Sequence, residues 1–508
     1  MPEVKITKFD GGMSDDMRQP FNNVGSLIKH FNVFDNPYKL TPYRSTEADT
    51  NDGSSATGMK QYDVRTFQLG SDGKVYGLGV NASGYPKVVS KASPLTGNWT
   101  LEATAEGDAA RIPGCFIEWA GAFWFFETGK LCKWTIGGAV TYTTLGSGVG
   151  TVTPQGVIGS DNNLYVFYNS SNSSRIARIN SSGTVYDGVF SNIPSNMRIT
   201  SACRYGSYLA IGLATGNTAT TAPTGRSTVF LWDMASTTTP SDVIDWGEGT
   251  LMCLGNVEGR LVGISDKYLS STLGMTRGSM VIRMWSGGMP QVMKEIVANQ
   301  SVTQGRFLND VVVKNNKMYW VASVPFGLST TTESTFNLGI WVFGRKNVNS
   351  NFTLSLDYIE EGVDTSNFKI VSFGAVGEYW FINHSADGSI TRTDDTATYS
   401  FDSIYESQIF NNDNSSETKK LVGVTVFTAP MPTAGSITLK YRKDEESSWT
   451  EIFTHTTDDS ISHSAINIES SGATLPQYKE IQFQITSTGG AEITGFKFKF
   501  DTILKDLY

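Results

Sequence analysis

Short apolar runs, each closed by a tight polar or glycine turn and followed by an aromatic-rich run, recur along most of this chain. The first copy is Val64–Leu69, a turn from Gly70 to Lys74, then Val75-Tyr76-Gly77-Leu78. The second is Cys115–Trp119, turning through Ala120-Gly121-Ala122 into Phe123–Phe126. The third turns at Asp161-Asn162-Asn163 into Leu164–Phe167, and the fourth at Tyr205-Gly206-Ser207 into Tyr208–Ile211. Three more copies turn at Glu258-Gly259-Arg260, Asn315-Asn316-Lys317 and Val376-Gly377-Glu378. These turn residues tolerate the positive φ that a tight hairpin between right-twisted strands requires.

A third strand follows most hairpins, as in Lys130–Ile136, Arg175–Ile179, Ser227–Trp232, Met280–Trp285 and Leu338–Phe343. The unit returns about every 51 residues, the size of a four-stranded propeller blade with variable loops. One such sheet has two apolar faces and buries neither alone, whereas radial stacking buries both and leaves only short edges. A β-solenoid is the rival, but irregular polar loops suit a closed ring better. The pattern therefore predicts an all-β chain with a seven-bladed β-propeller over 61–410.

After Asp402 the pattern changes. Asn411–Ser416 is a run of turn-forming residues, which marks a domain boundary. Alternating strands then crowd together at Leu421–Phe427, Ser436–Arg442, Thr450–His455, Ser464–Ile468, Tyr478–Thr486 and Ile493–Phe500. In Phe496-Lys497-Phe498-Lys499-Phe500 the phenylalanines face one side and the lysines the other. A C-terminal β-sandwich over 418–508 is expected, separable from the ring by a cut between Asn411 and Lys419. Residues 1–60 read as an extended segment that makes assembly contacts, with Val4-Lys5-Ile6 as the candidate ring-closing strand.

Composition narrows the function. Charged residues are only 18% of the 508, and the net charge of −9 with no basic cluster argues against coating or reading nucleic acid. Met1–Ile6 lacks the basic and apolar regions of a secretory leader, and no stretch is long and apolar enough to span a membrane. Cys115, Cys132, Cys203 and Cys253 sit apart in apolar runs and read as buried thiols. The four histidines, His30, His384, His455 and His463, are scattered, so neither a metal site nor a histidine-based triad is expected.

No cofactor motif is present, and no catalytic residue stands out. Asp161, Asp233, Asp245, Glu248 and Asp387 sit beside Gly, Asn or Ser, where a turn role is the stronger reading. Ser385-Ala386-Asp387-Gly388 matches part of a sialidase Asp-box, but Ile390 stands near where its aromatic belongs. Most tryptophans occupy repeated strand positions and read as core between blades. Trp246, in Asp245-Trp246-Gly247-Glu248-Gly249, reads as a loop residue and is the candidate ligand contact.

Phe9–Asp16 through Asn36–Arg44 resembles the start of virion proteins of tailed bacteriophages. Lys420-Leu421 to Tyr441-Arg442, with the later turn Ala491–Gly495, is similar to them too. The order of propeller then sandwich resembles tail-nozzle and hub proteins of short-tailed phages. The resemblance implies a non-enzymatic structural component of a virion tail, a ring subunit contributing to tail assembly and to DNA delivery into the host. It also implies synthesis in a host cytoplasm, copies of the chain around the tail axis, and other tail or portal-adaptor proteins as neighbours. The alternatives are a receptor- or carbohydrate-binding tail protein that meets a host surface glycan, and a propeller-type glycoside hydrolase.

Overall fold

The hairpin turns form as their residues dictate. Asn162, Asn315 and Asn316 take φ of 60°, 50° and 58°, and Gly206 takes 57°. In the computed structural model these turns join the first two strands of successive sheets. The structure describes all residues except 1, 10, 14–23, 35, 37, 50–62, 82–84, 106–114, 128–129, 147–150, 171–172, 216–224, 270–276, 299–306, 326–335, 347–348, 360–369, 385–389, 395–396, 400–401, 412–416, 445, 467–474 and 504–508. Among the described residues every regular element is a strand.

Successive strands pair antiparallel in chain order. The first sheet runs from Asp63–Leu69 to Thr100–Thr104, the second from Ile117–Trp119 to Val140–Thr144, and the third from Thr151–Ile158 to Val185–Asp187. The fourth runs from Met197–Tyr205 to Asp242–Glu248 and the fifth from Thr250–Val257 to Gln291–Ala298. Phe307–Lys314 to Thr353–Ile359 form the next row, and Ile370–Val376, Tyr379–His384 and Ile390–Thr393 begin the last. The last sheet packs on the first. Ser372 Oγ donates to the Val64 carbonyl at 2.8 Å, Asn383 Nδ2 to the same oxygen at 2.6 Å, and Phe67 lies 5.6 Å from Phe381. The ring is closed, and the architecture is a β-propeller.

Between the sheets lies aromatic core. Trp124, Trp134, Trp232, Trp320 and Trp341 are buried, as the repeated strand positions predict, while Trp119 and Trp380 are half-buried. None of the four cysteines is disulfide-bonded, and burial raises the thiols of Cys115, Cys132 and Cys203, the last to about 12.

The N-terminal segment departs from expectation. Glu3–Ile6 does not close the ring; it pairs with Ile493–Thr502, register Val4 to Phe498. Thr46–Ala48 instead completes the last sheet against Ile390–Thr393. Val24–Lys29 lies between Thr353–Ile359 of the propeller and Ser403–Ser407, fusing both into one ten-stranded sheet.

The boundary at Asn411–Ser416 also shifts. Ser403–Ser407 falls inside 61–410, yet it pairs with Ile481–Thr488, so a strand of the C-terminal layer lies before the polar run. That layer comprises Glu3–Ile6, Ile493–Thr502, Lys419–Thr428 and Ser462–Ile466 on one side. Facing it are Ser403–Ser407, Ile481–Thr488, Ser436–Lys443 and Thr450–His455. Phe483 meets Phe496 and Phe498 across the gap at 4.8 and 4.9 Å, while Lys497 and Lys499 point outward. One core cluster includes both these phenylalanines and Trp320 and Trp341, so apolar packing runs from the ring into the C-terminal layer.

Candidate functional site

Trp246 is not a loop residue with an exposed ring. It lies in the outermost strand of the fourth sheet, Asp242–Glu248, and is 1% exposed. The cause is a β-bulge. Ser227 pairs with Gly247 and Thr228 with Asp245, so Trp246 is the extra residue, and Gly247 takes φ 95°. The bulge turns the indole toward the fifth sheet, where it lies flat on Gly263. A Cβ at Gly263 would stand 2.6 Å from Cζ2 and 2.8 Å from Cε2. No ligand can stack on a ring so covered.

The indole leads to a residue the sequence reading passed over. Gly263 pairs directly with Arg283, so both project from the same face of the fifth sheet, toward Trp246. Arg283 is 8% exposed, beside a second bulge, between its pairing with Val292 and that of Ile282 with Lys294. Its guanidinium lies over Gly247: a Cβ there would be 3.6 Å from Cζ, Nε and Nη2 alike. Burial lowers the Arg283 pKa, opposed by Glu295, Glu248 and Asp245. Trp246 Nε1 and Arg283 Nη1 are both buried without a hydrogen-bond partner among the described residues. A charged residue inside the apolar run Met280-Val281-Ile282-Arg283-Met284-Trp285 was the available signal.

Ions of both signs rim this seam. Arg226 Nε donates to Asp245 Oδ1 at 2.8 Å, and this bond, before any other cause, holds the Asp245 carboxyl below the usual range. Lys267 stands 3.4 Å from Glu248, and Ser279 Oγ donates to Glu295 at 2.8 Å. Asp245 is thus an ion-paired strand residue whose Oδ1 also accepts the N–H of Gly247 at 3.1 Å, within the bulge. Asp161 and Asp233 do serve turns, accepting from the backbone N–H of Asn163 and of Ala235. Asp387 and the partial Asp-box at 385–388 lie outside the described residues. No group of three or more His, Cys, Asp or Glu able to hold a metal gathers among the described residues.

No protein family and no curated protein matches this sequence. Solved structures do. The chain is similar to exo-β-1,3-galactanase from Phanerochaete chrysosporium, at 12% identity and a TM-score of 0.29, over 90% of this chain and 100% of that one. It is similar to the Dos1 propeller at 11% and 0.42, over 69% and 94%. A third is BamB from Moraxella catarrhalis, at 11% and 0.37, over 77% and 96%. Likenesses this distant identify no substrate and no reaction. They nevertheless correct the expectation of a non-enzymatic chain, because glycoside hydrolases stand among the similar structures. That expectation is withdrawn; the β-propeller itself stands on the order of the sheets and the closure of the last on the first.

Proposed function

We propose that this chain is a carbohydrate-directed propeller carried in a bacteriophage tail, its ring seven-bladed and its C-terminal layers a β-sandwich. The seam between the fourth and fifth sheets supports the carbohydrate reading. It offers two buried N–H donors without partners, Trp246 Nε1 and Arg283 Nη1, beneath a rim of paired ions. Sugar hydroxyls donate and accept at once, so a rim holding both kinds of group suits them. The tail setting rests on the resemblance at Phe9–Asp16 and Asn36–Arg44 to phage virion proteins. In that setting copies of the chain ring the tail axis, in contact with other tail proteins, and meet a host surface glycan.

The test has two arms. The full chain is titrated against polysaccharide from candidate hosts, with binding expected for the native protein and weakened in Arg283→Gln. Antibody labelling of purified particles in the electron microscope is expected to mark the tail. Particles that never carry the label would remove the tail setting, and an Arg283→Gln chain that binds as tightly as native would remove the seam.

A second reading, a propeller-type glycoside hydrolase, draws on the three carboxylates around Arg283, since glycoside hydrolysis employs paired carboxyl groups. Release of reducing sugar by the native chain, abolished by Asp245→Asn, Glu248→Gln or Glu295→Gln, would establish it.

A further inference from the structure

We infer that His455 and His463 form an acid-sensitive latch between the two C-terminal layers, closed while both imidazoles are neutral and released when they take up protons. Thr450–His455 is the outermost strand of one layer and Ser462–Ile466 the outermost strand of the other. Among the described residues no ladder joins these two strands. Their histidine rings meet across the gap instead, centroids 4.7 Å apart and planes inclined by 33°. The chain crosses from one layer to the other in the loop 456–461, which is tied down by Thr428 N donating to the Ile461 carbonyl and Asp459 N to that of Met431, both at 3.0 Å.

The gap has nothing to hold an imidazolium. His463 is 2% exposed and stands opposite Val426, which stands opposite Phe496, and both of these are buried. Half-buried His455 stands opposite Ile437, with the Phe453 ring 5.1 Å away. Nε2 of His463 is buried with no hydrogen-bond partner among the described residues. Ser462 and Ser464 flank His463, and Thr425 and Phe427 flank Val426, so neither strand brings a charge. Lys440 and Glu451 pair on the outer face of their layer, Lys497 points outward, and Asp458 and Asp459 lie exposed in the loop. Burial lowers the His463 pKa from the ordinary 6.5, and the charge of a protonated His455 lowers it further.

Once the strands part, the ring of His463 protonates in water at about pH 6.5. A base whose folded pKa is lowered contributes stability that is complete above its unfolded value and lost as pH falls below it. Opening therefore takes up a proton, and for His463 the opening constant rises about tenfold between about pH 7.5 and about pH 5.5. Release frees the margin 450–466 and uncovers Phe453 and Ile437, so the chain presents this apolar surface only in acid.

Hydrogen–deuterium exchange of the full chain, read by mass spectrometry across this pH range and expressed as protection over the intrinsic rate at each pH, tests the latch. Protection of Thr450–His455 and Ser462–Ile466 is expected to fall about tenfold, reversibly, while that of Ile481–Thr488 and Leu164–Asn169 holds. His463→Phe keeps an aromatic ring in the gap and removes the titration, so protection there is expected to stay level. Asp458→Asn with Asp459→Asn is expected to leave the fall intact. Level protection in the native chain, or a fall shared equally by all sheets, would overturn the latch. So would a fall that survives His463→Phe or disappears in the double asparagine variant. The native chain measured alone decides the matter even where a variant does not fold.

Discussion

The hydroxyl of Tyr76 donates to Asp72, four residues earlier, at 2.8 Å, and Tyr165 makes the same bond to Asp161 at 2.7 Å. Each aspartate also caps its own hairpin turn, accepting from the N–H of Lys74 or Asn163. Each motif begins at a glycine, Gly70 or Gly159, where a Cβ would lie 2.5 or 2.8 Å from the tyrosine ring. Gly-Ser-Asp-x-x-x-Tyr is therefore one local machine used twice: the turn places the carboxylate, and the carboxylate fixes the second side chain of the returning strand.

Burial, reinforced by the bond to aspartate, raises the pKa of both phenols above the ordinary value of 10.0. A group with a raised folded pKa contributes stability that is complete below the unfolded value and lost as pH climbs through the folded one. The midpoint of urea unfolding is therefore expected to fall as pH rises beyond about 10. The double variant Tyr76→Phe, Tyr165→Phe is expected to be less stable at neutral pH and to show a shallower alkaline decline. An identical decline in both proteins would show that these tyrosines do not control it.

Ring closure rests on a buried charge cluster. Asp49, just beyond the closing strand, pairs with Lys91 of the first sheet, accepts from Trp99 Nε1 at 2.6 Å, and lies 3.6 Å from Arg392. Lys91 stands opposite Val75, the register position that in the second and fourth sheets holds Trp134 and Trp232. Removing one member of a buried pair strands the other, so Asp49→Ala is expected to cost about 3–5 kcal/mol. Asp49→Ala with Lys91→Met should recover much of that. Equal losses in the single and double variants would mean that the strand, not the ion pair, closes the ring.

The sequence made the hairpins legible because apolar alternation and turn residues are local. It did not show which N-terminal stretch closes the ring, because Val4-Lys5-Ile6 and Thr46-Glu47-Ala48 are equally short and only the partner strand decides between them. Trp246 was misread for a related reason: its neighbours Gly247 and Gly249 look like a loop, whereas they build a bulge that buries the ring. Arg283 went unnoticed because its significance depends on Gly263 across the ladder and on Trp246 from the adjoining sheet. Pairings of this kind are set by tertiary register, which no window of sequence contains.

The N-terminal segment is expected to be indispensable for folding, not only for assembly. Phe9, Met13, Ile28, Phe31, Phe34 and Leu40 are all buried at 4% exposure or less, and Val24–Lys29 is an interior strand of the fused sheet. Deleting residues 1–45 would uncover both the last propeller sheets and the C-terminal layer. The truncated chain is expected to aggregate on expression, and limited proteolysis of the native protein should leave the segment bound. A soluble truncated chain with native near-ultraviolet dichroism would restore the simpler picture of a detachable arm.

The last expectation concerns a clamp repeated at the end of the third strand. Trp134 Nε1 donates to the Gly138 carbonyl at 3.1 Å, Trp232 to Ser236 at 2.6 Å and Trp285 to Gly288 at 2.9 Å. In each case the indole folds over the turn that leads to the outer strand, so one side chain both fills the space between sheets and ties down the turn. The two contributions separate by substitution. Trp232→Phe retains most of the apolar contact and loses the bond, at a cost of about 1 kcal/mol. Trp232→Ala also empties the core beside Tyr165 and Phe190, whose rings lie 5.5 and 5.2 Å away, and should cost about 3–5 kcal/mol. Urea unfolding of the two variants measures both terms. If phenylalanine were as damaging as alanine, the hydrogen bond to the turn would be the dominant part. If neither mattered, the outer strands would be contributing little to the cooperative unit, and the seam at Trp246 and Arg283, built on just such an outer strand, would lose its rigid frame.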